Sequence, residues 1–293
     1  MHKPVLLNEI LDYLNPKSGD VFIDCTLGFG GHSLEIAKRI LPNGKLLAIE
    51  QDQETLNLFK KEIKNSDLEK VITPVCGNFS ELELIAEEER VSCANGILLD
   101  LGISSWQIDE SGRGFSFRKD EPLIMTLNND SELTAAEIVN HWKEEEISRI
   151  IKEYGEERFH RRIAKRICQA RKEKVIKTTG ELVDIIRQAL PGKYRHKHFA
   201  TRTFQALRIA VNKELENLEK VLPQAMNLLE AEGRLAVISF HSLEDRIVKN
   251  FFRDNFKNGK LEVLTKKPII SQKKELENNI RSRSAKLRVA SKK

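Results

Sequence analysis

The chain has 293 residues, 40% of them hydrophobic, which is enough for one large domain or for a core domain with an insertion. No run of eighteen apolar residues occurs, and no basic segment followed by an apolar one opens the chain. We therefore expect a cytoplasmic protein, neither membrane-spanning nor secreted. The cysteines lack C-x-x-C spacing, which favours buried thiols over metal ligands or disulfides; they are Cys25, Cys76, Cys93 and Cys168.

Apolar runs typical of strands alternate with helical periodicity over the first hundred residues. The predicted strands there are 20–26, 45–50, 71–76 and 95–101, with helices at 32–41, 53–65 and 80–90. Such alternation indicates a parallel, doubly wound sheet.

The alternation stops at about residue 106. A polar loop and several charged helical stretches follow, without a convincing strand, up to residue 199. Strand patterns return at 234–240, 261–265 and 285–290, with helices at 214–231 and 243–256. The sequence thus predicts seven strands with an antiparallel last pair. One domain comprises 1–105 and 200–293, and 106–199 form an inserted helical domain.

The first predicted strand leads directly into a glycine-rich turn. Val21-Phe-Ile-Asp24 precedes Cys25-Thr-Leu-Gly-Phe-Gly-Gly-His32, and the second strand ends at Glu50, twenty positions after Gly30. Glycines let the backbone approach a ligand closely, and an acid at the tip of strand two accepts hydrogen bonds from ribose hydroxyls. This pattern predicts an adenosine-containing cofactor. The alternative is a tight strand-to-helix turn without a ligand.

The type of cofactor follows from charge. The third glycine of the dinucleotide fingerprint is missing, and Asp24 stands inside the strand before the turn. A carboxylate there would repel a pyrophosphate but suits a cation such as S-adenosylmethionine. A nicotinamide dinucleotide, and hence an oxidoreductase, remains the alternative on the same fold.

The positive charge of +5 is unevenly distributed. Between Arg158 and Arg208 there are fifteen Lys or Arg residues and three acids, and 281–293 add six bases and no acid. Basic segments beside a cofactor-binding fold favour nucleic acid as a partner over a solvated surface. The candidate RNA-binding residues are Arg195, Lys197 and Arg202.

Several long motifs occur in a fixed order along nearly the whole chain. They are Asp24-Cys-Thr-Leu-Gly-Phe-Gly-Gly-His-Ser33, Leu98-Leu-Asp-Leu-Gly-Ile-Ser-Ser105, Arg113-Gly-Phe-Ser-Phe117, Tyr154-Gly-Glu-Glu-Arg158, Ala200-Thr-Arg-Thr-Phe-Gln-Ala-Leu-Arg-Ile209, Ile238-Ser-Phe-His-Ser-Leu-Glu-Asp-Arg-Ile-Val-Lys249 and Arg281-Ser-Arg-Ser-Ala-Lys-Leu-Arg288. Together they closely resemble the bacterial RsmH (MraW) family, which methylates N4 of a cytidine in the decoding region of 16S ribosomal RNA.

The resemblance implies a Rossmann-like class I methyltransferase of α/β class, with a helical insertion that recognises RNA. Its cofactor would be S-adenosylmethionine and its substrate the assembled small ribosomal subunit. A homodimer is conceivable through apolar surface on the C-terminal domain. The implied cofactor contacts are Gly30, Gly31 and His32 at the methionine part, Glu50 at the ribose, Phe79 at the adenine, and Asp100 and Gln107 completing the cleft.

Asp100 is also the candidate catalytic residue. It lies at the C-terminal end of strand four, which points into the crevice where open α/β sheets bind ligands. The exocyclic amine of cytosine is a poor nucleophile, so an acceptor for its N–H would assist methyl transfer, and no metal is required. A capping or ribose-binding role is the alternative. Trp106, Phe115 and Phe117 are candidates for stacking on the base, or else anchors of the loop.

The chain departs from the family beside the expected target site. Where the family usually has Pro-Leu-Asp-Met-Arg-Met, residues 122–127 read Pro-Leu-Ile-Met-Thr-Leu. The missing Asp and Arg keep open a second alternative, a non-catalytic RNA-binding factor of ribosome assembly.

Overall fold

The computed structural model describes residues 4–128, 133–190 and 198–293. The chain forms two compact units. The first combines Met1–Gly102 with Leu215–Lys293, and the second is Ile103–Glu214.

A seven-stranded sheet forms the centre of the first unit. Its strands are β1 (Val21–Asp24), β2 (Lys45–Glu50), β3 (Ile72–Cys76), β4 (Ala94–Asp100), β5 (Leu229–Ser239), β6 (Leu261–Val263) and β7 (Lys286–Lys292). The spatial order is β3-β2-β1-β4-β5-β7-β6; neighbouring strands among the first five are parallel, and β7 runs antiparallel to both β5 and β6. The seven predicted strands and the antiparallel last pair are confirmed.

Thirteen α-helices accompany these strands within the described residues. They are α1 (Leu7–Leu14), α2 (Gly31–Ile40), α3 (Gln53–Ile63), α4 (Leu82–Glu88), α5 (Ser105–Asp109), α6 (Ala135–His141), α7 (Glu144–Glu153), α8 (His160–Glu173), α9 (Thr179–Ala189), α10 (Thr201–Asn212), α11 (Glu214–Leu228), α12 (Ser242–Lys257) and α13 (Lys273–Asn278). Short 3₁₀ turns cover Asp67–Lys70, Phe79–Glu81 and Ile280–Ser284.

The sheet is apolar on both faces because helices cover both. Along β2, Leu46 and Ala48 join the apolar cluster that contains the buried faces of α1, α2 and α3, whereas Leu47 and Ile49 join the cluster that contains those of α4, α11 and α12. Side chains alternate between the faces of a strand, so a strand covered on both sides reads as a continuous apolar run. This explains why the central strands could be predicted so well.

The second unit has its own core, formed by the apolar faces of α6 to α10. Residues 200–214 were predicted to belong with the sheet, whereas in the structure the second unit extends to Glu214. The difference is helix α10, because Phe204 and Leu207 on its buried face pack into the helical core.

The cysteines are free, as expected, but only two are buried. Cys25 and Cys168 lie in the interior, whereas Cys76 and Cys93 are exposed. The expectation of burial was wrong for these two because each lies at a strand end: Cys76 is the last residue of β3, and Cys93 precedes β4.

The pairing of β1 with β4 depends on a glycine. Gly96 is the register partner of Phe22, and a Cβ at this position would lie 2.3 Å from the ring carbon Cε1 of Phe22. Because interiors are close-packed, the Gly96→Ala substitution should lower the free energy of unfolding by about 1–3 kcal/mol in urea denaturation. In a Phe22→Leu background the loss should be clearly smaller. An equal loss in both backgrounds would contradict the proposed clash.

Candidate active site at the carboxyl edge of the sheet

Three acids end three neighbouring strands of the sheet. Asp24 is the last residue of β1, Glu50 of β2 and Asp100 of β4. Since these strands are parallel and adjacent, their carboxyl ends share one edge, the place where open α/β sheets bind ligands. The glycine-rich turn and the N-terminus of α2 lie at the same edge.

Asp24 holds the turn together. It is almost fully buried, its Oδ1 accepts a hydrogen bond from the backbone N–H of Thr26 (3.0 Å), and its Oδ2 accepts one from the Ser33 hydroxyl (2.7 Å). Burial raises the pKa of Asp24, and the hydrogen bonds from Ser33 and Thr26 oppose this shift. Asp24 is therefore placed to shape the loop, and Thr26 and Ser33 are structural partners that sequence reasoning missed.

The glycines of the turn are required by both conformation and space. Gly28 and Gly30 have φ angles of +52° and +75°. A Cβ on Gly30 would lie 2.0 Å from Cε2 of Phe59, whereas a Cβ on Gly28 would point into open space. The turn is thus packed closely on its inner side at Gly30 and open in front of Gly28, and Pro4 packs against Gly31.

Glu50 is buried and bonded to the backbone through both oxygens. Oε2 accepts from the N–H of Gly28 and Oε1 from the N–H of Asp52, each at 2.9 Å. Burial raises the pKa of Glu50 to about 7; the two backbone bonds lower it, and the carboxylates of Asp52 and Asp24 raise it further. Glu50 therefore fixes the turn from the side of β2, and remaining lone pairs can accept from ribose hydroxyls.

Asp100 differs from the other two acids because one of its carboxylate oxygens accepts no hydrogen bond from a described residue. Its Oδ2 lies 3.5 Å from Nδ1 of the buried His32, while its buried Oδ1 has no hydrogen-bond partner among the described residues. Burial raises the pKa of Asp100 to about 6; His32 lowers it, and the carboxylates of Asp24 and Glu244 raise it. Unpartnered buried oxygens are rare, and the Asp100 side chain as a whole is 24% exposed, so this carboxyl group is suited to accept a proton or an N–H from a ligand.

Phe79 and Gln107 have different surroundings. Phe79 begins the 3₁₀ turn after β3, where it is half-buried against the core of the first unit. Gln107 belongs to α5 in the second unit, and its Oε1 accepts from the backbone N–H of Ser104 (2.8 Å) in a capping box. That bond gives Gln107 a structural role of its own.

The predicted RNA-binding residues are only partly described. Arg195 and Lys197 lie outside the described residues. Arg202, on α10, is half-exposed, donates to the carbonyl of Glu156 (2.9 Å) and lies 3.8 Å from the buried carboxylate of Glu157. Arg202 therefore ties α10 to the 154–158 motif within the helical unit.

The aromatic candidates also have structural partners. Phe115 is buried in the core of the second unit, and the Phe117 ring stacks on His198 at 4.3 Å between centroids and meets Phe204 edge-on. Trp106 lies beneath the guanidinium of Arg113. Phe115 is thus a core anchor, whereas the half-buried Phe117 and Trp106 are held in fixed orientations.

Comparison with solved structures identifies the class of the fold. The putative rRNA methylase of Clostridium thermocellum superposes on the entire chain with a TM-score of 0.51 at 12% identity, and the match covers all of that chain as well. With its strand order and the glycine turn after β1, the first unit has the Rossmann-like fold of the class I methyltransferases.

Comparison of sequences identifies the family. Residues 1–293 match the MraW methylase family. The ribosomal RNA small subunit methyltransferase H of Clostridium botulinum (strain 657 / Type Ba4) is 48% identical over 307 residues, covering 99% of this chain and 98% of its own. Its counterpart from Halothermothrix orenii is 45% identical over 306 residues, covering 99% and 97%. The chain belongs to the MraW methylase family, and its cofactor is S-adenosylmethionine.

The site fits this cofactor. The buried acids Asp24 and Glu50 and the partly exposed Asp100 disfavour a pyrophosphate and suit a cation, and the open space in front of Gly28 leaves room at the turn.

Within residues 4–128, 133–190 and 198–293, no helix combines the length and apolarity needed to cross a membrane.

The pKa of Glu50 predicts how stability varies with pH. The folded state holds this proton up to about pH 7, whereas the unfolded chain releases it near 4.5, so the folded state binds more protons between these values. The free energy of unfolding of the cofactor-free protein should therefore fall as the pH rises through this window, with Glu50 contributing about 3 kcal/mol.

Urea denaturation between pH 5 and pH 8 measures this slope. The Glu50→Gln variant should show a flatter dependence, whatever its absolute stability, because the titrating group is gone. A wild-type free energy of unfolding that stayed constant or increased over this range would contradict the prediction.

Proposed function

We propose that this chain transfers a methyl group from S-adenosylmethionine to the N4 amino group of a cytidine in the decoding region of 16S ribosomal RNA. The names of its relatives, ribosomal RNA small subunit methyltransferase H at 45–48% identity, support a ribosomal RNA substrate. An amine is favoured as the methyl acceptor by one observation. Asp100 is the last residue of β4, at the ligand-binding edge, and its Oδ1 has no hydrogen-bond partner among the described residues.

The reaction needs an acceptor at that place. S-adenosylmethionine supplies a methyl group on a positively charged sulfur, and the target nitrogen must approach this methyl in line. The lone pair of an exocyclic amine is delocalised into the ring. A hydrogen bond from the amine N–H to Asp100 would localise it and provide a destination for the proton. The remaining proposed contacts of the cofactor are Gly30, Gly31, His32, Glu50, Phe79 and Gln107.

The departure at residues 122–127 does not favour the non-catalytic alternative. Leu123, Met125 and Leu127 are buried in the core of the helical unit, and Asn212 bonds to the backbone of both Met125 and Leu127. The apolar positions that the chain retains therefore anchor this segment. The positions where the family's Asp and Arg are missing, Ile124 and Thr126, lie between these anchors.

The activity is tested by nucleoside mass spectrometry. The purified protein should form N4-methylcytidine in small ribosomal subunits from a strain that lacks the modification, with naked 16S ribosomal RNA assayed in parallel. Asp100→Asn should lower the rate at least about a hundredfold, because general base assistance is lost. It should still bind S-adenosylhomocysteine in calorimetry.

The control is Asp67→Asn, the same change at a highly exposed acid of the first unit. Formation of N4-methylcytidine that persists in Asp100→Asn would remove the proposed role of Asp100. A wild-type protein that methylates neither substrate would overturn the proposed function.

A basic face on α8 supports the RNA partner. Lys165 lies four positions after Arg161, three after Arg162 and seven before Lys172, so these bases share one face of the helix. Arg161, Arg162, Lys165 and Lys172 are exposed, and none is in an ion pair with another described residue. A row of unpaired bases about 16 Å long matches several successive phosphates of a nucleic-acid strand.

Replacing three of these bases with Gln tests their contact with RNA. The Arg161→Gln, Arg162→Gln, Lys165→Gln variant should bind 16S ribosomal RNA more weakly, and the slope of log affinity against log salt should decrease by about 2. The matched control removes three exposed lysines of the first unit, at positions 60, 61 and 64. Equal losses of affinity and slope in both variants would indicate only a general effect of net charge.

A further inference from the structure

One peptide group near the start of the chain connects two distant parts of the first unit. The carbonyl of Val5 lies 2.9 Å from Nε2 of His32, and the N–H of Leu6, on the other side of the same peptide bond, donates to Oε1 of Glu275 on α13 (2.8 Å). The orientation of this peptide is therefore fixed from both sides.

The Val5 carbonyl determines the proton position on His32. A carbonyl oxygen can only accept a hydrogen bond, so Nε2 must carry a proton. In a neutral ring Nδ1 would then present a lone pair to Oδ2 of Asp100, 3.5 Å away. The ring therefore faces Asp100 through Nδ1, and the presence of His32 lowers the pKa of the Asp100 carboxyl group.

Asp100 is the more accessible member of this pair. Its side chain is 24% exposed, whereas that of His32 is 6% exposed. A carboxylate placed in this way can receive a proton from a ligand while the imidazole beside it holds its orientation.

We propose that His32 is a positioning residue for proton removal: the Val5–Leu6 peptide and Glu275 hold its ring with Nδ1 toward Asp100, and the ring keeps that carboxylate oriented to accept the amine proton. This inference rests on the proposed methylation of an amino group, and it gives His32 a role beyond contact with the cofactor.

The step is balanced in atoms and charge. The bond from N4 to the methyl carbon forms as the bond from that carbon to sulfur breaks, and sulfur retains the electron pair as a neutral thioether. The proton that the nitrogen then loses goes to the carboxylate of Asp100. The positive charge lost from sulfur reappears as this proton on the His32–Asp100 pair, so the total charge of the site stays constant.

The charged groups around Asp100 set the expected pH dependence. His32 on α2 faces it with a lowering effect on its pKa, and the carboxylates of Asp24 on β1 and Glu244 on α12 raise that pKa, in addition to burial. Removal of His32 should therefore shift the acidic limb of the pH–rate profile toward higher pH, because a higher pH is then needed to ionise Asp100.

The principal variant is His32→Gln. The glutamine amide can keep the hydrogen bond to the Val5 carbonyl, but it carries no charge that could lower the pKa of Asp100. At saturating S-adenosylmethionine, where any loss of cofactor affinity no longer limits the rate, we expect kcat to fall about tenfold to a hundredfold, with the acidic limb moved to higher pH. His141→Gln, at an exposed histidine of α6, is the matched control.

Glu275 provides an independent test that leaves His32 intact. Glu275→Ala should lower kcat in the same direction, because the Val5–Leu6 peptide loses one of its two anchors. Glu275→Gln should restore most of the activity, since its amide oxygen still accepts from Leu6. A fall in kcat that Gln fails to restore would contradict positioning through this hydrogen bond.

Nitrogen-15 NMR of histidine-labelled protein shows directly which ring nitrogen of His32 carries a proton. The His32→Gln variant assigns the signal, because the signal of His32 is missing from its spectrum. The expected spectrum at neutral pH shows His32 protonated at Nε2, in the presence of S-adenosylhomocysteine as well. A ring with a bare Nε2 would overturn the inference, as would an unchanged pH–rate profile in His32→Gln. A loss of kcat explained entirely by weaker cofactor binding would reduce His32 to a cofactor contact.

The two proposals fail in distinguishable ways. If the wild type methylates a different acceptor, the proposed target is wrong, but the NMR result and the effect of His32→Gln on that reaction still decide the role of His32. If N4-methylcytidine forms while the ring is bare at Nε2, the target stands and the positioning role is lost.

Discussion

The burial of carboxylates at the carboxyl edge of the sheet is the constraint on which this molecule depends. A buried acid is costly unless hydrogen bonds compensate for the water that it has lost. Asp24 and Glu50 obtain these bonds from backbone N–H groups of the glycine turn and from the segment after β2. The same bonds therefore shape the cofactor loop and give the pocket its acidic character, so conformation and charge preference cannot be altered separately.

Asp100 is the acid at this edge whose hydrogen bonds are incomplete. Its backbone N–H is bonded to the Thr26 hydroxyl, but one carboxylate oxygen has no partner among the described residues. Proteins retain such unsatisfied groups mainly where a ligand or a reaction completes them. The two satisfied acids hold the turn in place, and the unsatisfied one is the acid to which we assign the proposed proton transfer.

Sequence alone predicted the sheet well because central strands covered on both faces are continuous apolar runs, as in β2 and β4. The turn glycines and Glu50 could be located from the sequence because local spacing encodes them. The position of α10 could not be predicted, since an amphipathic pattern reveals an apolar face but not the core against which that face packs. The partnership of Leu6 with Glu275 leaves no trace either, because a hydrogen bond from a backbone N–H does not depend on the residue that carries it.

The helical unit shows how polar motifs can be structural. Arg202 and Gln205 on α10 bond to carbonyls of the 154–158 segment, and a Cβ on Gly155 would lie 2.6 Å from the Arg202 carbonyl oxygen. The motif on α10 and the 154–158 motif, both of which look like candidate binding sequences, thus fix each other's position within the helical unit. The unpaired bases of α8 are different, because no described acid neutralises them and their charge is directed to solvent.

The position of β7 has a consequence for synthesis of the protein on the ribosome. This strand contains residues close to the C-terminal end of the described chain, yet it lies inside the sheet, between β5 and β6. While the chain is being translated, β5 has a free edge and β6 has no neighbour until these residues leave the exit tunnel. The sheet therefore stays incomplete until β7 is available to pair with β5 and β6. Until then the exposed edge of β5 is a surface with which chaperones or other copies of the chain can pair.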